Sequence, residues 1–219
     1  MTRPTGTQGE DTTMKTRSIR MLSLSLVAAL AICAIFAGTA AAVPAWKFSG
    51  KALEGSEVTV GFGVETDLNM FAPIQCEHFL YKMTISNKVG TGEGEVTELP
   101  LFNCTTTAEG CTVETIEAEE LPWPAHLVTV GKSNYLDIKE IAIGIVFGGE
   151  TCAIGEVLIP VTGSAGGLFD NVTEAAIFDE LSFEKTGTAL EAFGSPVQLE
   201  GAFPTEAFQW HREQVLSVS

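Results

Sequence analysis

Histidine is almost missing from this chain: its 219 residues include three, His78, His126 and His211. That leaves little material for an imidazole metal site or for a base beside a nucleophile. Basic residues are also few, with twelve Lys and Arg against twenty-eight Asp and Glu. A surface of that sign repels nucleic acid and anionic lipid. No Gly-x-Ser-x-Gly elbow occurs, because Gly163-Ser164-Ala165-Gly166 has the wrong spacing. Gly131-Lys132-Ser133 ends like a phosphate loop, but that motif wants glycine where His126 stands, so the segment reads as a turn. Cys-x-x-Cys pairs are lacking too, which removes the usual four-cysteine zinc site. Beyond residue 43 no stretch sustains a helical period.

What is present begins with an export signal. Residues 1–20 are polar and carry Arg3, Lys15, Arg17 and Arg20; residues 21–36 are an almost unbroken apolar run. Small residues follow, with Ala40 and Ala42 at the −3 and −1 positions of a cleavage site. This order reads as a secretory signal peptide over 1–42. The alternative is an uncleaved N-terminal anchor, since residues 21–43 are just long enough to span a bilayer. Eight of the basic and twenty-six of the acidic residues lie after Ala42, a formal net charge of −18. The expected product is secreted or extracellular, binds no nucleic acid, and has no membrane contact after cleavage. Residues 43–203 are expected to form one β domain, any division falling near Gly148-Gly149 or Lys132-Ser133, with 204–219 as a C-terminal tail, either helical or frayed.

Four cysteines follow the cleavage site: Cys76, Cys104, Cys111 and Cys152. An even number outside the cytoplasm implies two disulfides. Three pairings exist. The short span with Glu109-Gly110 at its turn favours Cys104–Cys111, leaving Cys76–Cys152. His78 lies close to Cys76, but a bonded sulfur cannot act as a nucleophile.

Strand alternation recurs throughout. Val58, Val60, Phe62 and Val64 alternate with Thr59, Gly61, Gly63 and Glu65, giving one buried face and one small or polar face. Phe79, Tyr81, Met83 and Ile85 make a second buried face. Residues 141–147 are apolar on both faces, as in a central strand. Residues 111–120 read as a strand stopped by Leu121-Pro122-Trp123-Pro124, with Trp123 as a core anchor. Residues 163–167 read as a flexible loop. The fold class expected is all-β: an antiparallel sandwich or partly closed barrel, stapled by disulfides.

Calcium is the one cofactor the composition suggests. Glu93, Glu95, Glu117, Glu119 and Asp170 offer hard oxygen ligands at strand ends or turns, although none follows the EF-hand spacing. Solvated acidic turns are the simpler account. Two Asn-x-Thr triplets, at Asn103 and Asn171, matter only in a eukaryotic secretory route.

The layout resembles a family of secreted proteins of high-GC soil actinobacteria that carries no assigned activity. The likeness rests on residues 46–53, on Cys76 in a strand, on a Gly-rich turn, on Cys104 and Cys111, on Leu121-Pro122-Trp123, and on the late Cys152. It covers roughly residues 46–203 and departs at Pro124. The resemblance implies secretion and β-structure, and no site residue comes with it. The function expected is a non-catalytic extracellular or cell-envelope binding or structural protein of unknown ligand. A carboxylate-dependent hydrolase and a β-barrel carrier of a small apolar ligand are the alternatives.

Overall fold

The computed structural model describes residues 43–87, 91–204, 207–209, 212–214 and 216–219, with side chains described for 43–87, 91–204 and 216–219. The proposed signal peptide lies outside the described residues. Val43–Ser219 forms one compact unit.

The strands are β1 (Trp46–Phe48), β2 (Lys51–Ala52), β3 (Ser56–Asn69), β4 (Ile74–Ser86), β5 (Glu93–Glu98), β6 (Leu101–Thr106), β7 (Thr112–Ala118) and β8 (Trp123–Val130). They continue with β9 (Ser133–Gly148), β10 (Leu158–Asp170), β11 (Ala175–Phe178), β12 (Leu190–Ala192), β13 (Ser195–Pro204), β14 (Ala207–Gln209), β15 (Arg212–Gln214) and β16 (Leu216–Val218). Among the described residues one helix, α1 (Glu180–Thr186), sits between β11 and β12.

The fold is all-β and antiparallel. Pairing runs from β3 through β4, β5, β8, β9, β10, β12 and β13, and returns to β3. The main sheet therefore closes on itself. It is a barrel with a defect, because β4 and β9 are long and each changes partner halfway. β4 pairs with β5 over Lys82–Ser86 and with β6 over Ile74–Phe79. β9 pairs with β8 at its start and with β7 over its second half. Outside the ring, β1 pairs with β2 and with β16. The tail thus supplies strands, neither of the two forms considered for it.

The interior is filled by side chains from the alternating positions. Phe79, Tyr81, Met83 and Ile85 of β4 all point inward, as their spacing predicts. Ile141, Ile143, Ile145 and Phe147 of β9 are also buried, and β9 has a strand on both sides.

On β3 the faces are the reverse of the expected ones. Thr59, Gly61 and Gly63 are buried, while Val58, Phe62 and Val64 are exposed. The cause lies across the ladder. Gly61 pairs with Tyr81, and Gly63 with Phe79. Those rings lie over the glycines so closely that a Cβ on Gly63 would stand 1.9 Å from the Phe79 ring. Missing side chains on β3 make room for large ones on β4. Beyond Glu65 (φ 55°) the parity changes, and Thr66 and Leu68 point inward.

The disulfides are Cys76–Cys104 and Cys111–Cys152. This corrects the favoured pairing. The β4–β6 ladder sets Cys76 directly opposite Cys104. The Glu109-Gly110 turn does form, with Gly110 at φ 71° and Cys111 N–H donating to Ala108 O. It packs against the turn after β9, since a Cβ on Gly149 would stand 2.2 Å from Gly110 O. That contact brings Cys111 to Cys152. β7 is consequently not a core strand; among the described residues it pairs only with β9, and its burial is partial.

Residues 163–167 are likewise not a loop. They lie inside β10, paired with β9. Their small size makes a bed: a Cβ on Gly166 would meet Thr186 of α1, and one on Gly167 would meet the Phe178 ring. Helix α1 itself carries clear end signals. Asp179 accepts from Ser182 N–H at 2.7 Å, and Gly187 closes the helix at φ 67°.

Candidate binding face and seam

Reversal of the β3 faces has a surface consequence. Bulky residues that read as core are spread on the outside of the barrel. The ladders arrange them in rows across β3, β4 and β6. Phe62 lies opposite Leu80; Val64 lies opposite His78, which lies opposite Phe102. Phe62, Val64 and Phe102 are 51%, 60% and 43% exposed. The Phe62 and His78 rings meet at a tilt of 34°, with centroids 5.2 Å apart. His78 Nδ1 is buried and has no hydrogen-bond partner among the described residues.

Polar pairs frame this patch. The Lys82 ammonium donates to Glu98 at 2.8 Å on one margin. On another, Asn103 Nδ2 donates to Glu77 Oε2 at 2.9 Å. An apolar patch within a polar rim is the usual form of a surface that meets another molecule.

Beside the patch the barrel is split. β6 and β7 leave a groove between them of about 410 Å³, bordered by Leu101, Asn103, Val113, Glu114, Ile116 and Glu117. Leu101 also borders an interior void of about 30 Å³. It separates the groove from the core.

The sequence candidates are scattered over the molecule. Trp123 is buried at the start of β8, borders the interior void, and donates from Nε1 to Glu119 O at 2.8 Å. It is a core anchor in this structure. Glu93 and Glu95 border an outer groove of about 270 Å³ with His126. Glu117 stands at the split, and the Glu119 carboxylate covers Gly144. Among the described residues no three His, Cys, Asp or Glu side chains come together as a metal set.

Asp170 is engaged locally. Its carboxylate accepts from Val172 N–H and from Thr173 Oγ1, each at 2.9 Å. The Val172 N–H first, then the Thr173 hydroxyl, hold its pKa below the ordinary 3.8. A depressed carboxyl stabilises the fold above its unfolded pKa and loses that contribution as pH falls through the lower folded value. The expected result is that Asp170→Asn removes one component of acid destabilisation below about pH 4, read from urea midpoints against pH. An unchanged acid limb would show that the turn does not depend on the charge.

Glu120 and Glu140, at φ 54° and 55°, border a broad groove with Lys139, Thr162 and Ser164. None of its lining residues is aromatic.

No family model matches the chain, and no curated protein or solved structure matches it. The chemistry of the face is what remains to be interpreted. Sequence alternation missed it because the pattern on β3 separates two faces without saying which is inside. The signal that decides lies across the ladder: a strand of glycines opposite a strand of rings puts the glycines inward.

Proposed function

We propose that this chain is a secreted, non-catalytic protein that binds an extracellular or cell-envelope component through the outer face of β3, β4 and β6. The observation that carries this reading is the pair of exposed rows, Phe62–Leu80 and Val64–His78–Phe102, held on a rigid sheet within a polar rim. The signal-like residues 1–42 and the likeness to secreted actinobacterial proteins support an external location. The acidic surface supports a partner other than nucleic acid.

A carrier of small apolar ligands needs an internal pocket of roughly 300 Å³ or more. The void bordered by Leu101 and Trp123, about 30 Å³, holds little more than one water. A hydrolase acting on sugars needs an aromatic platform beside its carboxylates, and the groove at Glu120 and Glu140 has none in its lining.

The test is co-sedimentation with envelope preparations of the producing cell. Phe62→Ser with Val64→Thr is expected to weaken binding about tenfold, the effect of roughly 1.4 kcal/mol of lost apolar contact. Both side chains are more than half exposed, so the thermal midpoint is expected to stay in place. Equal sedimentation of variant and wild type, or no sedimentation of either, would overturn the reading.

A further inference from the structure

β6 and β7 are consecutive strands joined by the turn around Glu109 and Gly110, in line with the β5–β8 ladder. A hairpin is the default for such a pair. Among the described residues they form no ladder with each other. β6 gives one edge to β4, and β7 gives one edge to β9. The two remaining edges face the groove.

Two irregularities lie on the strands that border the seam. Asn103 takes a left-handed conformation, φ 52°, in the middle of β6. On β7 the ladder to β9 shifts register between Val113 and Thr115, leaving Glu114 as the extra residue of a bulge. The disulfides do not close the gap either. Cys76–Cys104 fastens β6 to β4, and Cys111–Cys152 fastens the start of β7 to the turn after β9. Each lip is stapled to its own wall, and no covalent link crosses the seam.

We propose that the seam takes an extended peptide segment of alternating apolar and basic residues, added as a strand along the free edge of β7 at residues 115–118. This inference goes beyond the binding reading above and concerns a second site beside that face. An open strand edge presents backbone donors and acceptors that another strand satisfies. The occupant's side chains follow from the lining. Leu101, Val113 and Ile116 are half-buried toward the core and suit apolar side chains on one face of the added strand. Glu117 and Glu114 line the groove, Glu114 with its carboxylate over Gly148 and accepting from the Thr112 hydroxyl at 2.8 Å, and among the described residues no Lys or Arg lines it. A second copy of this chain would bring the same glutamates against each other. A basic strand meets them with opposite charge.

The probe is a synthetic acetylated hexapeptide of alternating lysine and valine, titrated calorimetrically into the protein. Saturable binding that weakens as salt rises is expected. The same peptide N-methylated at alternate residues keeps its side chains but loses donors on one edge. It is expected to bind about tenfold more weakly, the effect of one to two lost hydrogen bonds. Glu117→Gln is expected to weaken the unmodified peptide several-fold. Amide exchange is expected to slow across β7. Equal affinity for the N-methylated peptide, or protection confined to the outer face of β3, would overturn the strand-addition proposal and leave the binding face standing. No binding of the peptide at all would also overturn it. Failure of the envelope experiment would remove the binding reading whatever the peptide does.

Discussion

Replacing Cys111 and Cys152 together by alanine is expected to lower the free energy of unfolding by about 4 kcal/mol. The link spans 41 residues, and the figure is the loop-closure entropy it removes from the unfolded chain. The Cys76–Cys104 link, spanning 28 residues, is expected to contribute about 3.5 kcal/mol on the same account. Urea unfolding of each double variant measures both numbers. Digestion without reduction gives the connectivity directly: fragments joined through Cys76–Cys104 and Cys111–Cys152 are expected. A fragment joined through Cys104 and Cys111 would tie β6 to β7 across the seam. That result would remove the groove together with the proposal built on it.

Trp123→Ala is expected to cost about 3–5 kcal/mol, the range for emptying a well-packed aromatic site. Trp123 is 2% exposed and pairs with Val96 across the β5–β8 ladder. Its ring borders a small interior void, so its loss would enlarge a space the core already fails to fill. Trp123→Phe keeps most of the bulk but gives up the hydrogen bond to Glu119 O. It is expected to cost about 1–2 kcal/mol. The contrast with Phe62→Ser is the informative part. The two aromatic residues should differ by several kcal/mol, because one fills the core and the other faces solvent. A loss below about 1 kcal/mol for Trp123→Ala would mean that the interior repacks easily.

Much of the β-structure was legible in the sequence. Alternation identified the inward residues of β4, and the doubly apolar run of β9 announced a strand with neighbours on both sides. What alternation cannot supply is the identity of the facing strand. Gly61 and Gly63 looked like the outer face until Tyr81 and Phe79 were set opposite them. The cysteine pairing failed for the same reason. Closeness in sequence favoured Cys104 with Cys111, whereas ladder register puts Cys104 beside Cys76. Residues 163–167 were misread because small residues suggest freedom, when here they make space for Thr186 and Phe178. Helix α1 was too short to show a period, and its end signals, Asp179 and Gly187, went unread in the sequence.

The candidate site was the least legible part. Phe102, Leu80 and His78 become a surface only once three strands lie side by side. The seam lies where the β5–β8 ladder stops, and the irregular positions beside it, Asn103 and Glu114, are ordinary residues in the sequence.

Ala45 and Ser219 exchange both of their backbone hydrogen bonds, at 3.3 and 3.2 Å, and Trp46 lies opposite Val218. A ribosome therefore releases the first described strand long before it releases that strand's mate. The bolt on this side of the molecule cannot slide home until residues 216–219 have emerged. A chain passing lengthwise through a narrow channel would be caught open, and would lock only on the far side.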